Sequence, residues 1–161
     1  MIVVVGGSGR KVGKTSLIES LIRALPEARW LAIKVSGHVH GAGQWKFERH
    51  QTPDAETDTG RFLAAGAREA WWLRAGEDRL AAAAPELQAL MAGFENVIIE
   101  SNSIVEILRP DLHLFVAGDE WKESAGRWLA SAGPVIVTAS DCASGDPVRL
   151  VAERLRRQAE K

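Results

Sequence analysis

The chain has 161 residues, 46% hydrophobic and 25% charged, with a formal net charge of −1. That length predicts one domain over residues 1–161 with a core of its own, and the near-neutral charge argues against nucleic acid or a membrane surface as a general partner. The single cysteine, Cys142, has no internal partner, Met1 to Val5 is too short and unflanked to be a secretory signal, and no run reaches membrane-span length, so a cytoplasmic location is expected.

Ile2 to Val5 predicts a buried strand, and Lys14 to Leu25 a helix with Leu17, Ile18, Leu21, Ile22 and Leu25 on one side. Pro26 ends that helix, and Trp30 to Val35 reads as a second strand interrupted by Lys34. From Ser36 to Thr57 the chain is aperiodic and rich in Gly, His, Gln and acids, which predicts a long functional loop. Asp58 or Thr59 caps a helix expected through about Arg68, Ala70 to Leu73 forms a short strand, and Leu80 to Ala92 a helix with Pro85 opening a new turn. Strands follow at Asn96 to Glu100, Leu112 to Val116 and Pro134 to Thr138, with helices around Trp121 to Ala130 and from Pro147 to the end. Short apolar strands alternating with amphipathic helices predict an α/β chain with a mostly parallel central sheet and helices on both faces. With the glycine-rich turn Gly6 to Ser16, which contains Gly13-Lys14-Thr15, between the first strand and the first helix, the expectation is a three-layer P-loop NTPase fold. Ligands of such sheets bind at the carboxyl ends of the strands.

The run Gly6-Gly7-Ser8-Gly9-Arg10-Lys11-Val12-Gly13-Lys14-Thr15-Ser16 stands between the first strand and the first helix. That setting predicts a phosphate-binding loop, with backbone N–H groups from Gly7 to Ser16 and the helix dipole around an anion. Lys14 is expected to reach the terminal phosphates and Thr15 to ligate Mg²⁺, while Arg10 and Lys11 add positive charge. Ser8 occupies the position of the usual first glycine and Gly7 precedes it, so the spacing is G-x5-GKT.

Glu100 follows the apolar Val97-Ile98-Ile99, where a carboxylate would hold Mg²⁺ through water or orient an attacking water. His38 and His40 alternate in an extended segment and would face the same side, beside a metal or an anionic substrate; Asp54, Asp58 or His50 would supply a third ligand. A solvated histidine loop is the plainer reading. In Thr138-Ala139-Ser140-Asp141 the aspartate matches part of a guanine-reading element, or else caps the following turn. The first favours GTP, the second leaves GTP and ATP open. Trp45, in the long loop, is the tryptophan to watch as a ligand or partner contact.

In four places the chain resembles the MobB family, the molybdopterin-guanine dinucleotide biosynthesis adaptors. These are the strand and loop ending Gly13-Lys14-Thr15, Ala32-Ile33-Lys34, Asp58-Thr59 followed by Ala65-Gly66-Ala67, and Val97-Ile98-Ile99-Glu100. It departs from the family at Val35, where a histidine usually follows the Ile-Lys pair, and at Ser101, where a glycine follows the glutamate. The resemblance implies a GTP-binding P-loop protein with weak hydrolysis that assists the molybdenum cofactor guanylyltransferase. It further implies that Asp58 and Glu100 serve the metal or water, and that Lys34 serves the nucleotide or a partner surface. Family analogy and an open sheet edge together point to a homodimer. The G-x5-GKT spacing is also similar to that of dethiobiotin synthetase and related ATP-dependent ligases, which makes a small-molecule kinase or ligase the rival expectation. A non-catalytic module, in which nucleotide only sets conformation, is a third.

Overall fold

The computed structural model describes residues 1–37, 45–119, 121, 125–126 and 133–160. In chain order the elements are β1 (Ile2–Gly7), α1 (Lys14–Ala24), a 3₁₀ turn (Pro26–Ala28), β2 (Leu31–Ser36), β3 (Lys46–His50), α2 (Asp58–Ala65) and β4 (Glu69–Arg74). There follow α3 (Glu77–Met91), β5 (Val97–Glu100), a second 3₁₀ turn (Ser103–Glu106), β6 (Leu112–Val116), β7 (Val135–Val137), α4 (Ala139–Ser144) and α5 (Asp146–Ala159). The sheet has seven strands in the order β3-β4-β2-β5-β1-β6-β7. Every neighbouring pair is parallel except β3 with β4.

Strands buried on both faces lose the usual apolar–polar alternation, and Val3, Val4 and Val5 of β1 are all fully buried. Val3 and Val5 face one core, formed with Leu17, Ile18 and Leu21 of α1, Phe62 of α2 and Val151 of α5. Val4 faces the other, with Ile33, Ile99 and Leu80, Ala83, Leu87 and Met91 of α3. The chain is therefore an α/β protein with helices on both faces of a mostly parallel sheet. No helix among the described residues is long and apolar enough to cross a membrane.

Several elements differ from expectation. The segment predicted as one long loop contains β3, an antiparallel edge strand whose support is cross-strand. Phe47 lies 5.0 Å from Trp71, ring to ring, and Glu48 and Arg49 pair with Arg74 and Glu69 of β4. Helix α2 starts after Thr57, whose hydroxyl accepts the Gly60 N–H, and it stops at Gly66, which takes a left-handed φ of 109°. Helix α3 begins at residue 77 and runs through Pro85. The proline ring sits on the exposed side, while the buried stripe Leu80, Ala83, Leu87 and Met91 holds the helix to the sheet despite the missing hydrogen bond. Residues 139–144, read as following the last strand, form the short helix α4.

Trp45 packs against the α3-side core and donates its indole N–H to Glu86 at 3.1 Å. Trp71 and Trp72 are only half-buried. Most of the helix expected over Trp121 to Ala130 lies outside the described residues. Strand β7 is the outer strand on its side, and Val135 and Ile136 there are 41% and 46% exposed.

His113 of β6 is a polar intruder in the sheet. It is 4% exposed, and neither ring nitrogen has a hydrogen-bond partner among the described residues. Burial disfavours its charged form and pushes its pKa down to about 4. An unfolded histidine takes up its proton near pH 6.5, so between about pH 6.5 and 4 the unfolded state binds a proton that the folded state refuses. His113 therefore withdraws stability as pH falls through that window, by roughly 2–3 kcal/mol at pH 4.5. Urea unfolding from pH 7.5 to 4.5 should show a shallower loss for His113→Leu than for the wild type. Parallel pH profiles would exclude the effect.

Candidate functional site

The loop after β1 is clamped from both neighbouring strands. Asn102, just past β5, accepts the Gly7 N–H on Oδ1 at 2.7 Å and donates its Nδ2 to the Gly7 carbonyl at 2.9 Å. On the β6 side, the Ser8 N–H donates to the Val116 carbonyl, and Ser8 Oγ accepts the Gly118 N–H at 2.9 Å. Ser8 is fully buried, so its side chain ties down the loop base and does not face the cavity. Glycine is required one position earlier because a Cβ on Gly7 would stand 2.8 Å from Val12 Cγ2 and 3.0 Å from the Lys14 side chain.

Lys11 and Gly13 both take positive φ, 57° and 103°, and turn the chain into α1. Helix α1 begins with no side-chain cap and no acidic residue in its first turn, whereas α2 and α4 are capped by Thr57 and Thr138 and carry an early aspartate. Its first turn, without a side-chain cap, and its dipole thus stand beside Arg10, Lys11 and Lys14, an arrangement suited to an anion. Lys14 folds back over the loop, Nζ donating to the Gly9 carbonyl at 2.7 Å.

Across from the loop, three elements bring together a polar corner. Lys34 of β2 and Glu100 of β5 are register partners on adjacent strands, and so face the same side. That is the α1 and α2 side, where α1 supplies Thr15 and α2 supplies Asp58. Each carboxylate divides its oxygens between the same two groups. Thr15 Oγ1 lies 2.8 Å from Glu100 Oε2 and 3.1 Å from Asp58 Oδ1. Lys34 Nζ pairs with Glu100 Oε1 and, at 3.0 Å, with Asp58 Oδ2. Burial opposes the charge on Lys34, but the Glu100 and Asp58 carboxylates outweigh it and hold its pKa above the ordinary lysine value. Burial likewise opposes the charge on Asp58, and Lys34 and Thr15 overcome it, so its pKa falls below the usual carboxylate value.

Asp58 is itself positioned by Asp54, whose carboxylate accepts the N–H groups of Glu56 and Thr57 and the Thr57 hydroxyl. The Thr57 bond is the main influence holding the Asp54 pKa down to about 2. Gly60 is needed here, since a Cβ would fall 2.1 Å from the Asp54 carboxyl.

A cavity of about 480 Å³ lies between loop and corner. Arg10, Lys11 and Gly13 to Ser16 form its loop wall, and Lys34, Asp58, Arg61 and Glu100 its far wall. Gly7, Ser8, Gly9 and Val12 shape the loop without lining the cavity. Arg61, on α2, is held at 2.5 Å by Glu19 of α1. The donor set of one hydroxyl and two carboxylates suits a hard divalent ion such as Mg²⁺, which binds through few protein oxygens when phosphates and waters complete its shell. Among the described residues no group of three or more His, Cys, Asp or Glu could hold a metal alone.

Of the expected site residues, Arg10, Lys11, Gly13, Lys14, Thr15, Ser16, Asp58 and Glu100 line one cavity. Lys34, expected to serve the nucleotide or a partner surface, joins them as the ion-pair partner of both carboxylates. His38 and His40 lie outside the described residues. His50 and Asp54, candidate third ligands for that pair, instead bond each other at 2.7 Å. Asp141 forms a capping box with Thr138 at the start of α4, with Oδ2 accepting the Thr138 N–H and hydroxyl, each at 2.7 Å. It does not line the loop cavity. No sequence motif marks Arg61, and Asn102 stands in the polar run Ser101-Asn102-Ser103 with nothing along the chain to single it out.

Fold and site together define an α/β protein with a charged cavity at the carboxyl ends of its parallel strands. Comparison with protein-family models, with curated proteins and with solved structures finds no match to this chain.

Asn102→Ala removes both bonds to Gly7 and leaves a part-buried N–H unpaired, at a cost of about 1–3 kcal/mol. Chemical denaturation should register that loss, and a change under about 0.5 kcal/mol would show the loop base is held without Asn102.

Proposed function

We propose that the chain is a P-loop nucleotide-binding protein that takes a Mg²⁺-nucleotide, GTP in preference to ATP, and hydrolyses its terminal phosphate slowly. The observation that carries this reading is the convergence of Thr15, Asp58 and Glu100 on the cavity that the uncapped start of α1 and Lys14 line from the other side. One wall suits phosphate and the other suits its counter-ion.

In this reading the loop amides and Lys14 bind the terminal phosphates, Lys14 exchanging the Gly9 carbonyl for phosphate oxygens. Thr15 would hold Mg²⁺ directly, with Asp58 and Glu100 behind it through water. When bound, the ion neutralises charge on the β- and γ-phosphates. Glu100 orients the attacking water. The new oxygen–phosphorus bond forms as the bond to the β-phosphate breaks, releasing nucleoside diphosphate, inorganic phosphate and a proton. Arg61 adds positive charge at the same wall.

The likeness of Gly13-Lys14-Thr15, Ala32-Ile33-Lys34, Asp58-Thr59 and Val97 to Glu100 to the MobB adaptors extends the proposal. GTP would be the nucleotide, and the protein would assist the guanylyltransferase of molybdenum cofactor biosynthesis. One observation favours a second reading, an ATP-dependent small-molecule kinase or ligase. A cavity of about 250 Å³ adjoins the corner beyond Lys34 and Asp58, lined also by Thr57, Thr59 and Trp72 and large enough for a small acceptor.

Calorimetry with Mg²⁺-GTP should give a saturable isotherm that Lys14→Ala weakens by roughly 100-fold or more; micromolar affinity retained in that variant would overturn the proposal. A nucleotide panel separates the readings. GTP preference supports the adaptor, and ATP preference with hydrolysis stimulated by a second substrate supports the kinase or ligase.

A further inference from the structure

We propose that Lys34 is a built-in counter-cation that keeps a free divalent ion out of the Asp58–Glu100 corner, so that the metal enters only together with the nucleotide phosphates. The inference rests on the Mg²⁺-nucleotide reading of the same site. Lys34 Nζ already pairs with an oxygen of each carboxylate, Asp58 Oδ2 and Glu100 Oε1, while Thr15 Oγ1 contacts the other two oxygens. The four groups form a closed ring in which every carboxylate oxygen has a partner.

Register fixes the ammonium there, because Lys34 and Glu100 are opposite each other on neighbouring strands. A divalent ion arriving alone therefore meets one hydroxyl, two carboxylates already paired, and a lysine of like charge. Repulsion between the two cations acts across a corner where Glu100 is only 2% exposed and solvent screens poorly. Phosphate oxygens change that balance by supplying the ligands and negative charge that the corner lacks.

Lys34 also has somewhere to go. It lines the loop cavity and the adjoining cavity beside Trp72, Thr57 and Thr59, so its side chain can swing off the carboxylates without moving the backbone. Metal and nucleotide then bind with positive coupling, the phosphates releasing the lysine that blocks the metal.

The test titrates Mn²⁺ into the nucleotide-free protein and reads free Mn²⁺ by electron paramagnetic resonance. Wild type and Lys34→Arg, which retains the charge, should bind weakly, and GTP should tighten Mn²⁺ binding to wild type by roughly 10-fold or more once the Mn²⁺ taken up by GTP alone, titrated without protein, is subtracted. Lys34→Gln should gain one nucleotide-independent Mn²⁺ site, roughly 10- to 100-fold tighter than wild type, and Lys34→Gln/Glu100→Gln should lose it. Circular dichroism establishes that each variant is folded. The inference is overturned if folded Lys34→Gln binds Mn²⁺ no better than wild type, or if wild type alone binds it as tightly as with GTP. Where Lys34→Gln fails to fold, Lys34→Met, which also removes the charge, is titrated in its place and must show the same gain. Failure of GTP to bind wild type at all in calorimetry would overturn the nucleotide reading, while a metal site gained in Lys34→Gln would still mark Lys34 as the blocking cation.

Discussion

The pairing of Lys34 with Glu100 is the constraint around which the carboxyl end of the sheet is arranged. Glu100 lies at the end of β5, 2% exposed, among strands whose other residues are almost all apolar. A buried carboxylate is tolerated only with a partner, and breaking such a pair typically costs about 3–5 kcal/mol. The parallel register supplies that partner from β2. Helices α1 and α2 pack on the same face and complete the arrangement, each contributing a residue of its first turn, Thr15 and Asp58. Asp58 can do so because Asp54 fixes the turn before α2 and Gly60 leaves room for the Asp54 carboxyl.

How the helices begin explains why the opposite wall has the opposite charge preference. Asp58 and the Thr138–Asp141 box place negative charge at the starts of α2 and α4, so the exposed N–H groups there are compensated from within the chain. Helix α1 has neither a side-chain cap nor an early acid, and it starts from a left-handed Gly13 that has no side chain to offer. Arg10, Lys11, Lys14 and Arg61 line the same cavity, so its positive side chains gather around the start of α1.

The sheet was legible because its strands are short, nearly continuous apolar runs, and the loop because glycines and Lys14-Thr15 sit between a strand and a one-sided helix. Features governed by contacts distant in sequence were not legible. Lys34 reads along the chain as an interruption of a strand, and only pairing with β5 turns it into half of an ion pair. Strand β3 has almost no apolar signal of its own, since Glu48 and Arg49 are satisfied by β4 partners 26 and 20 residues away. Asn102 belongs to a polar run that could face anything; its bonds to Gly7 span 95 positions. Pro85 lies inside α3, and burial along one side holds that helix together through it.

The misplaced glycine of the loop follows from the same long-range constraints. Val12 packs back over the loop base, where a Cβ on Gly7 would lie 2.8 Å from one of its methyls and a Cβ on Gly118 would lie 2.7 Å from the other. Both flanking positions must therefore lack side chains. Position 8 lies between them in space and is free to carry one. Ser8 uses it to hold Gly118, while the Ser8 N–H holds Val116 and Asn102 holds Gly7. The loop is thus sewn to β5 and β6 at its base, and the residues that line the cavity project from that fixed base. A serine at position 8 leaves the cavity wall untouched and moves the requirement for a missing side chain to the residue on which Val12 and Lys14 rest.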